Sequence, residues 1–149
     1  MAERFKPAIG KVISGTHGFL WWNGSICYEV TSFELKLKTN RETIQFSGDM
    51  IEDSKLMSIS GEWNAKVKKV YSRGKEYAEK LIKGVDERLT LIGKLADPDN
   101  GGIERVQAVG CWLDELTLMA FENAKISEDE FSGGFVDFAY LDSIADPCL

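Results

Sequence analysis

Hydrophobic and polar residues alternate along several stretches of the chain, and this period of two predicts β-strands. The alternation is strictest at residues 33–38, where apolar and charged side chains take turns, and longest at residues 59–68. Further strands are predicted at residues 11–14, 43–46 (pairing back against 33–38), 88–96 and 103–119, and from Phe135 onward. The strand at 103–119 is long enough to need a bulge or bend.

A β-hairpin is predicted near the N-terminus, where two apolar runs flank Asn23-Gly24. Asn and Gly tolerate the positive φ angles that a type I′ turn requires. The first arm of this hairpin ends in Trp21 and Trp22, whose side chains point to opposite faces of the strand. One of them can therefore enter the core, and the other must meet another layer or another chain.

One helix is predicted at residues 73–83, with Ser72 as its N-cap and Gly84 as its stop. Residues 48–56 show no periodicity and are predicted to form a long exposed loop. The order of elements, mostly β with one helix in between, favours an antiparallel β-barrel or sandwich with the helix packed on its side. All 149 residues are expected to form a single domain.

The chain is moderately acidic, with 18 basic and 24 acidic residues and a net charge of −6. This balance argues against a general polyanion binder, because phosphate contacts need clustered Lys and Arg. A continuous apolar run of about 20 residues, as a membrane span requires, is missing, and so are the marks of a secretory signal. The spacing of Cys27, Cys111 and Cys148 suggests neither a disulfide framework nor a metal site, so reduced thiols are expected, the first two in the core.

Few residues suggest chemistry. His17 is the sole histidine and lies between glycines in a predicted turn, so an enzyme would need it or a pair such as Asp114 and Glu115. Neighbouring residues of a strand point apart, which disfavours that pair. The loop Asp97-x-Asp99-x-Gly101 has oxygen ligands but lacks the acid that completes a calcium loop, so a simple turn is favoured over a weak cation site. The run at 128–130 is interpreted as solvated acidic surface, with pairing to a basic partner as the alternative, and no catalytic residue, cofactor or metal is predicted.

Taken in order, several motifs resemble one family. They are Ile-Ser-Gly at 13–15, Gly-Phe-Leu-Trp-Trp-Asn-Gly at 18–24, Phe-Glu-Leu at 33–35, Phe-Ser-Gly-Asp-Met at 46–50, Ser-Ile-Ser-Gly-Glu at 58–62, a helix near 77 and Phe-Val-Asp-Phe at 135–138. In this order and at this length the chain resembles the tail tube proteins of contractile phage tails, defective prophages and phage-tail-like bacteriocins of Gram-positive bacteria.

The resemblance implies a non-enzymatic structural subunit that forms hexameric rings, which stack into a tube whose lumen is lined by strands of every subunit. It implies partnership with the sheath, baseplate and tail terminator proteins, in a particle assembled in the cytoplasm of the bacterial host. DNA would pass through without specific binding if the particle is an infectious phage, and the subunit would bind no membrane. The acidic balance agrees with a conduit that repels phosphate, although the outward row Lys36, Lys38, Lys66 and Lys68 is basic.

For assembly, the predicted interface is the loop at 48–57, with Met50, Ile51, Leu56 and Met57 as apolar anchors. A merely flexible loop is the alternative. Further interface residues are predicted in the N-terminal arm, residues 1–9, at Phe5 and in the hairpin at Trp21 and Trp22, and the tail at 142–149 is a secondary candidate.

Two other functions remain open. One is the tube subunit of a related contractile injection or secretion apparatus, in which the cargo is an effector protein. The other is a monomeric carbohydrate-binding module that uses exposed tryptophans as a stacking platform, with Trp21, Trp22, Trp63 and Trp112 as the candidates.

Overall fold

Eight antiparallel strands form one sheet in the computed structural model, which describes residues 9–145. The strands are β1 (Gly18–Trp22), β2 (Ser25–Cys27), β3 (Val30–Ile44), β4 (Asp53–Lys68), β5 (Leu89–Leu95), β6 (Glu104–Leu116), β7 (Glu128–Phe135) and β8 (Asp137–Asp142). The helix α1 (Lys75–Ile82) lies between β4 and β5, and 3₁₀ turns at Ile9–Lys11 and Gly15–His17 precede β1. The predicted class, mainly antiparallel β with a flanking helix, is confirmed.

The strand β6 belongs to both halves of the sheet. Its first part pairs with β5 and β8, and its last part pairs with β7, which continues through β4 to β3. Between the two parts Gly110 has a φ of +66°, and the Val136 amide donates to the Val109 carbonyl at 3.2 Å. The predicted bend in this long strand is therefore present, and it separates the β2-β1-β5 half of the sheet from the β7-β4-β3 half.

The core lies between these two halves. Trp22 from β1 packs edge-to-face on Phe131 from β7, with 5.1 Å between ring centroids, and on Trp63 from β4 at 5.7 Å. All three are nearly fully buried, together with Leu20 and Leu91. The indole of Trp63 keeps its hydrogen bond by donating to the Trp112 carbonyl at 3.0 Å. The rings thus join both halves without leaving the Trp63 N–H unpaired.

The strands β6 and β7 approach each other closely at Gly133. A Cβ atom at this position would lie 1.8 Å from the carbonyl oxygen of Trp112. No side chain fits there unless the two backbones separate, so glycine is required by the packing. This contact fixes the spacing of the strands at the edge of the core.

The helix packs on the body through Tyr77, whose hydroxyl accepts a hydrogen bond from the Leu113 amide at 3.1 Å. It begins at Lys75 with Gly74 as N-cap, so the predicted cap Ser72 is wrong. Gly74 packs closely against the body, where a Cβ atom would lie 3.0 Å from a methyl group of Leu116 and 3.1 Å from the ring of Phe131. The stop at Gly84, which has a φ of +81°, is confirmed.

The hairpin predicted at Asn23-Gly24 is confirmed, with φ angles of 52° and 91° and Trp22 paired with Ser25. The strands predicted at 88–96 and 59–68 are confirmed as β5 and the second part of β4.

Three predictions about single elements are wrong, and one strand was missed. Lys11 ends a 3₁₀ turn, and residues 12–14 form no strand. Residues 43–44 continue β3 instead of pairing back on it, because β4 supplies the partner strand. The predicted loop at 48–56 ends earlier, since β4 begins at Asp53. The last strand, β8, begins at Asp137, near Phe135 as predicted, but the strand before it, β7, was missed because it begins in the acidic run at 128–130.

Candidate assembly surfaces

The most prominent surface is the outer part of the β3–β4 hairpin, residues 38–60, which we call the arm. Lys38 to Ile44 pair with Asp53 to Ser60, whereas β4 pairs with β7 only from Gly61 onward. Every residue of the arm is exposed. The arm therefore extends beyond the sheet as a two-stranded ribbon, a structure that is marginal in water unless something packs on it.

The end of the arm, residues 45–53, is a turn region that we call the arm tip. Gly48 has a φ of +94°, the Asp49 amide donates to the Phe46 carbonyl, and the Gln45 side chain donates to the Asp49 carbonyl at 2.9 Å. These bonds hold the turn while its apolar side chains point to solvent. Met50 is 95% exposed and Ile51 is 86% exposed.

The four predicted anchors of the assembly loop all lie on the arm. Met50 and Ile51 belong to the arm tip, and Leu56 and Met57 follow on β4, where the register shifts opposite Asn40 and Arg41. All four are exposed, so they are available to a partner. Their role as an interface stays a prediction. Phe46 is 73% exposed on the same tip and was missed, because it was assigned to a strand in the sequence interpretation.

The hairpin tryptophans differ from each other. Trp22 lies in the core, so its predicted interface role is wrong, because a partner cannot reach a side chain packed between Trp63 and Phe131. Trp21 is half-buried on the opposite face, 6.3 Å from Phe19 between ring centroids, and stays a candidate. Phe5 lies outside the described residues.

A second group of exposed apolar residues lies at the opposite end of β4 and was also missed. It follows β4 at Val70 and Tyr71 and continues in the connection between β6 and β7. The Lys69 amide donates to the Ser127 carbonyl at 2.9 Å, so the two connections are neighbours. Six large side chains in this region are more than 60% exposed: Val70, Tyr71, Leu118, Met119, Phe121 and Ile126. Leu118 and Met119 lie in the stretch predicted as the strand at 103–119, and the other four fall between predicted elements, where no periodic pattern indicates an exposed apolar surface.

An apolar groove of about 680 Å³ opens between the two halves of the sheet. Its walls include Phe33 and Leu35 from β3 and Phe138 and Tyr140 from β8. Within residues 9–145, neither β8 nor β3 has a second strand partner on its outer edge. Unpaired edges beside apolar side chains are typical of surfaces where another strand adds to a sheet.

Two ion pairs fix the end of the body near α1. The Arg73 Nε donates to Glu29 Oε1 at 3.0 Å, and the guanidinium also lies 6.0 Å from the Trp22 ring centroid. Burial by itself would raise the pKa of Glu29, but the hydrogen bonds and charge of Arg73 outweigh it, and the pKa is lowered. Lys69 pairs with Asp129 at 3.0 Å, and Asp129 is buried. The acidic run at 128–130 is thus only partly solvated surface, because its middle residue points inward.

The loop after β5 is a turn rather than a cation site. The carboxylate of Asp97 accepts from the Asp99 amide at 3.0 Å and from the Ser14 amide at 2.9 Å. These backbone hydrogen bonds, with a contribution from His17, lower the pKa of Asp97. The nearest His17 nitrogen is 3.9 Å from the same carboxylate. The turn therefore ties the residues before β1 to the body, and both carboxylate oxygens of Asp97 accept backbone hydrogen bonds.

The remaining candidate chemistry also has structural explanations. Cys27 and Cys111 are buried, as predicted, and burial raises the pKa of each thiol to about 11, so both stay protonated. Cys148 lies outside the described residues. Within residues 9–145 no group of three or more His, Cys, Asp or Glu side chains is placed to hold a metal. In the same part of the chain no helix is long and apolar enough to span a membrane.

The tryptophan platform of the carbohydrate-binding alternative is not assembled. Trp22 and Trp63 are buried in the core. Trp112 is half-buried on the other side of β6, where Arg88 lies 5.0 Å from its ring centroid and its N–H donates to Asp114 at 2.9 Å. Such a module would have to use Trp21 or Trp112 singly.

Comparison with known proteins identifies the family. The model of the family described as phage tail tube protein matches residues 7–142. The chain belongs to the phage tail tube protein family. A comparison with curated protein sequences found no match. The predicted function of a tail tube subunit is confirmed at this level, and the predicted Gram-positive host stays a prediction.

Solved structures share the tail tube fold at low sequence identity. A chain of the extracellular contractile injection system PVC, in its sheath-tube complex in the extended state, matches with a TM-score of 0.66 and 8% identity, covering 93% of this chain and 100% of that one. A chain of the anti-feeding prophage cap matches with a TM-score of 0.62 and 12% identity, covering 96% and 95%. A chain of the native gene transfer agent virion matches with a TM-score of 0.56 and 9% identity, covering 88% and 98%.

Proposed function

We propose that this tail tube protein assembles as hexameric rings that stack into the inner tube of a contractile phage tail or phage-tail-like particle. Sheath protein would surround the tube, and baseplate and terminator proteins would close its ends. The role is structural, with no catalytic step. Support comes from the family match and from the likeness to chains of sheath-tube, baseplate and cap structures.

The observation that carries the proposal is the arm. A ribbon of exposed residues with apolar side chains at Met50, Ile51, Leu56 and Met57 gains nothing in an isolated subunit. Covered by neighbouring copies, the same residues bury apolar surface and stabilise a polymer. The groove and the unpaired edges of β3 and β8 offer a second surface, on which neighbouring subunits would join their sheets around the ring.

In this proposal DNA slides through the tube without specific contacts. Six copies of a chain with a net charge of −6 repel phosphate on average. The outward lysines that oppose this argument are partly neutralised, because Lys36 pairs with Glu34 at 2.6 Å and Lys66 pairs with Glu130 at 3.0 Å. The hydrogen bond to Glu130 and the charge of its carboxylate raise the pKa of Lys66.

A tube of a contractile injection apparatus is the second candidate. The likeness to chains of the PVC and anti-feeding prophage structures favours it. The ring contacts would be the same, and the cargo would be protein. The contents of particles purified from the producing cells separate the two. Nuclease-protected DNA is expected for a phage tail attached to a capsid, neither DNA nor protein cargo for a phage-tail-like particle without a capsid, and protein cargo for the injection apparatus.

The test is negative-stain electron microscopy and sedimentation of the purified protein over a range of concentrations. Rings and hollow tubes are expected from the wild type. In a matched variant, residues 45–52 are replaced by Asn-Gly, which joins the last paired residues Ile44 and Asp53 with a two-residue turn. This variant should keep the circular dichroism spectrum and melting temperature of the wild type but fail to polymerise, and normal tubes from it would show that the arm tip is not part of the interface.

A further inference from the structure

We infer that the arm tip docks on a second copy of this chain, at the surface formed by Lys68, Val70, Tyr71, Lys75, Leu118 and Met119, which we call the basal surface. The inference rests on the proposed function and specifies which parts of two stacked subunits meet.

The first observation is position. The arm tip ends at the first residue of β4, Asp53, and the basal surface begins at the last residue of β4, Lys68. A strand of sixteen residues is about 50 Å long, so the two surfaces lie at opposite ends of the molecule. They cannot meet within one subunit. Contact between them in two copies is heterologous and repeats along the strand direction, which produces an open-ended stack rather than a closed dimer.

The second observation is that both ends expose apolar surface. The arm tip presents Phe46, Met50 and Ile51, and the basal surface presents Val70, Tyr71, Leu118 and Met119, all more than 60% exposed. The basal connections are joined by the hydrogen bond from Lys69 to Ser127, so these side chains belong to one region. A single exposed apolar side chain would be ordinary, but a cluster of them marks an interaction site, and this molecule has one cluster at each end.

The third observation is charge. The arm tip carries Asp49, Glu52 and Asp53 and no basic residue, and none of these acids forms a salt bridge within residues 9–145.

All four charged residues at positions 68–75 are basic. Lys69 and Arg73 already pair with Asp129 and Glu29. Lys68 and Lys75 form no salt bridge in the described chain, although Glu128 lies opposite Lys68 and Glu76 follows Lys75. These two lysines can pair with the acids of an arm tip from a second copy. Such pairs would determine how the tip is positioned on the basal surface more than how tightly it binds.

Cysteine cross-linking tests the contact directly. The double variant Met50→Cys with Tyr71→Cys is made in a Cys148→Ser background, and Cys27 and Cys111 stay unreactive because they are buried. Each copy then carries one thiol at either end, so oxidation of assembled protein should give a ladder of dimers, trimers and longer products. The single variants should stay monomeric, whereas dimers from Met50→Cys alone would mean tip-to-tip contact and would overturn the inference.

Failure of this inference can be distinguished from failure of the proposed function. If the wild type forms neither rings nor tubes, the proposed function fails and this inference fails with it. If tubes form but no ladder appears, only this inference fails, and a ladder from Met50→Cys with Tyr140→Cys would move the tip to the apolar groove instead.

Charge reversal provides an independent measurement. Glu52→Lys should raise the protein concentration needed for tube formation by roughly fivefold, the effect of losing one exposed ion pair per contact. Lys75→Glu in the same chain should restore the wild-type value. Equal effects of the two substitutions without any rescue would contradict the pairing.

Discussion

The strands β3 and β4 run through two regions that differ in what covers them. In the body, Phe33 and Leu35 face the opposite half of the sheet, and β4 has a partner on each side. In the arm, the same two strands pair only with each other, and their side chains are exposed. The difference shows that β3 and β4 stay paired with each other beyond the point where a second layer of the molecule covers them. The uncovered length is where a partner is expected.

The largest expected effect is the loss of stability when a glycine of the body is replaced, compared with replacement of a glycine in the arm. Gly133→Val places a side chain against the Trp112 carbonyl and should prevent folding or cost at least about 4 kcal/mol of unfolding free energy. Gly48→Ala in the arm tip meets no neighbouring atom and should cost about 1 kcal/mol, locally, because of its positive φ. Thermal melts of both variants compare the two losses of stability. Equal losses would mean that the arm folds as part of the core.

One buried and one exposed phenylalanine separate effects on folding stability from effects on tube assembly. Phe131→Ala removes a buried ring that packs on Trp22 and should cost about 4 kcal/mol in urea unfolding. Phe46→Ala removes an exposed ring and should change the unfolding free energy by less than about 0.5 kcal/mol while reducing tube formation. If Phe46→Ala destabilised the monomer as strongly, the arm would have to pack on its own body.

The partly buried pair of Arg73 and Glu29 predicts a dependence of stability on pH that an exposed pair lacks. Because the pKa of Glu29 is lowered in the folded state, its contribution is complete above its unfolded pKa of about 4.3 and is lost as the pH falls through the folded pKa. Arg73→Met should cost about 2 kcal/mol at pH 7 and less near pH 3. Lys36→Met, which removes an exposed pair with Glu34, should leave the stability unchanged at both pH values. Urea unfolding at pH 3 and 7 compares them.

The smallest effect is expected at the sole histidine. His17→Asn leaves the two amide hydrogen bonds to Asp97 in place and should shift the melting temperature by less than about 3 °C. Tube formation should be unchanged. Loss of a biological activity without loss of assembly would instead reopen the possibility of an enzyme.

The sequence predicted those elements whose pattern depends on local chemistry. The Asn23-Gly24 turn requires positive φ, and the alternation at 33–38 and 59–68 reflects one covered face, so both appear where expected. It failed where tertiary contacts decide. The N-cap is Gly74, which packs against Leu116 and Phe131, and the buried Asp129 lies in a strand with Lys69 as its partner. The alternation of apolar and polar residues also failed to predict the arm. The strand β4 begins six residues before its alternating pattern, and both faces of this first part are exposed to solvent.

The continuity of β4 has a mechanical consequence. One strand connects the arm tip to the core, with β3 paired along nearly its whole length and β7 along its second half. A pull on the tip is therefore directed along the strands, and it strains many backbone hydrogen bonds at once instead of opening them one after another. A subunit held by its tip would resist stretching along the strand axis far better than peeling across it.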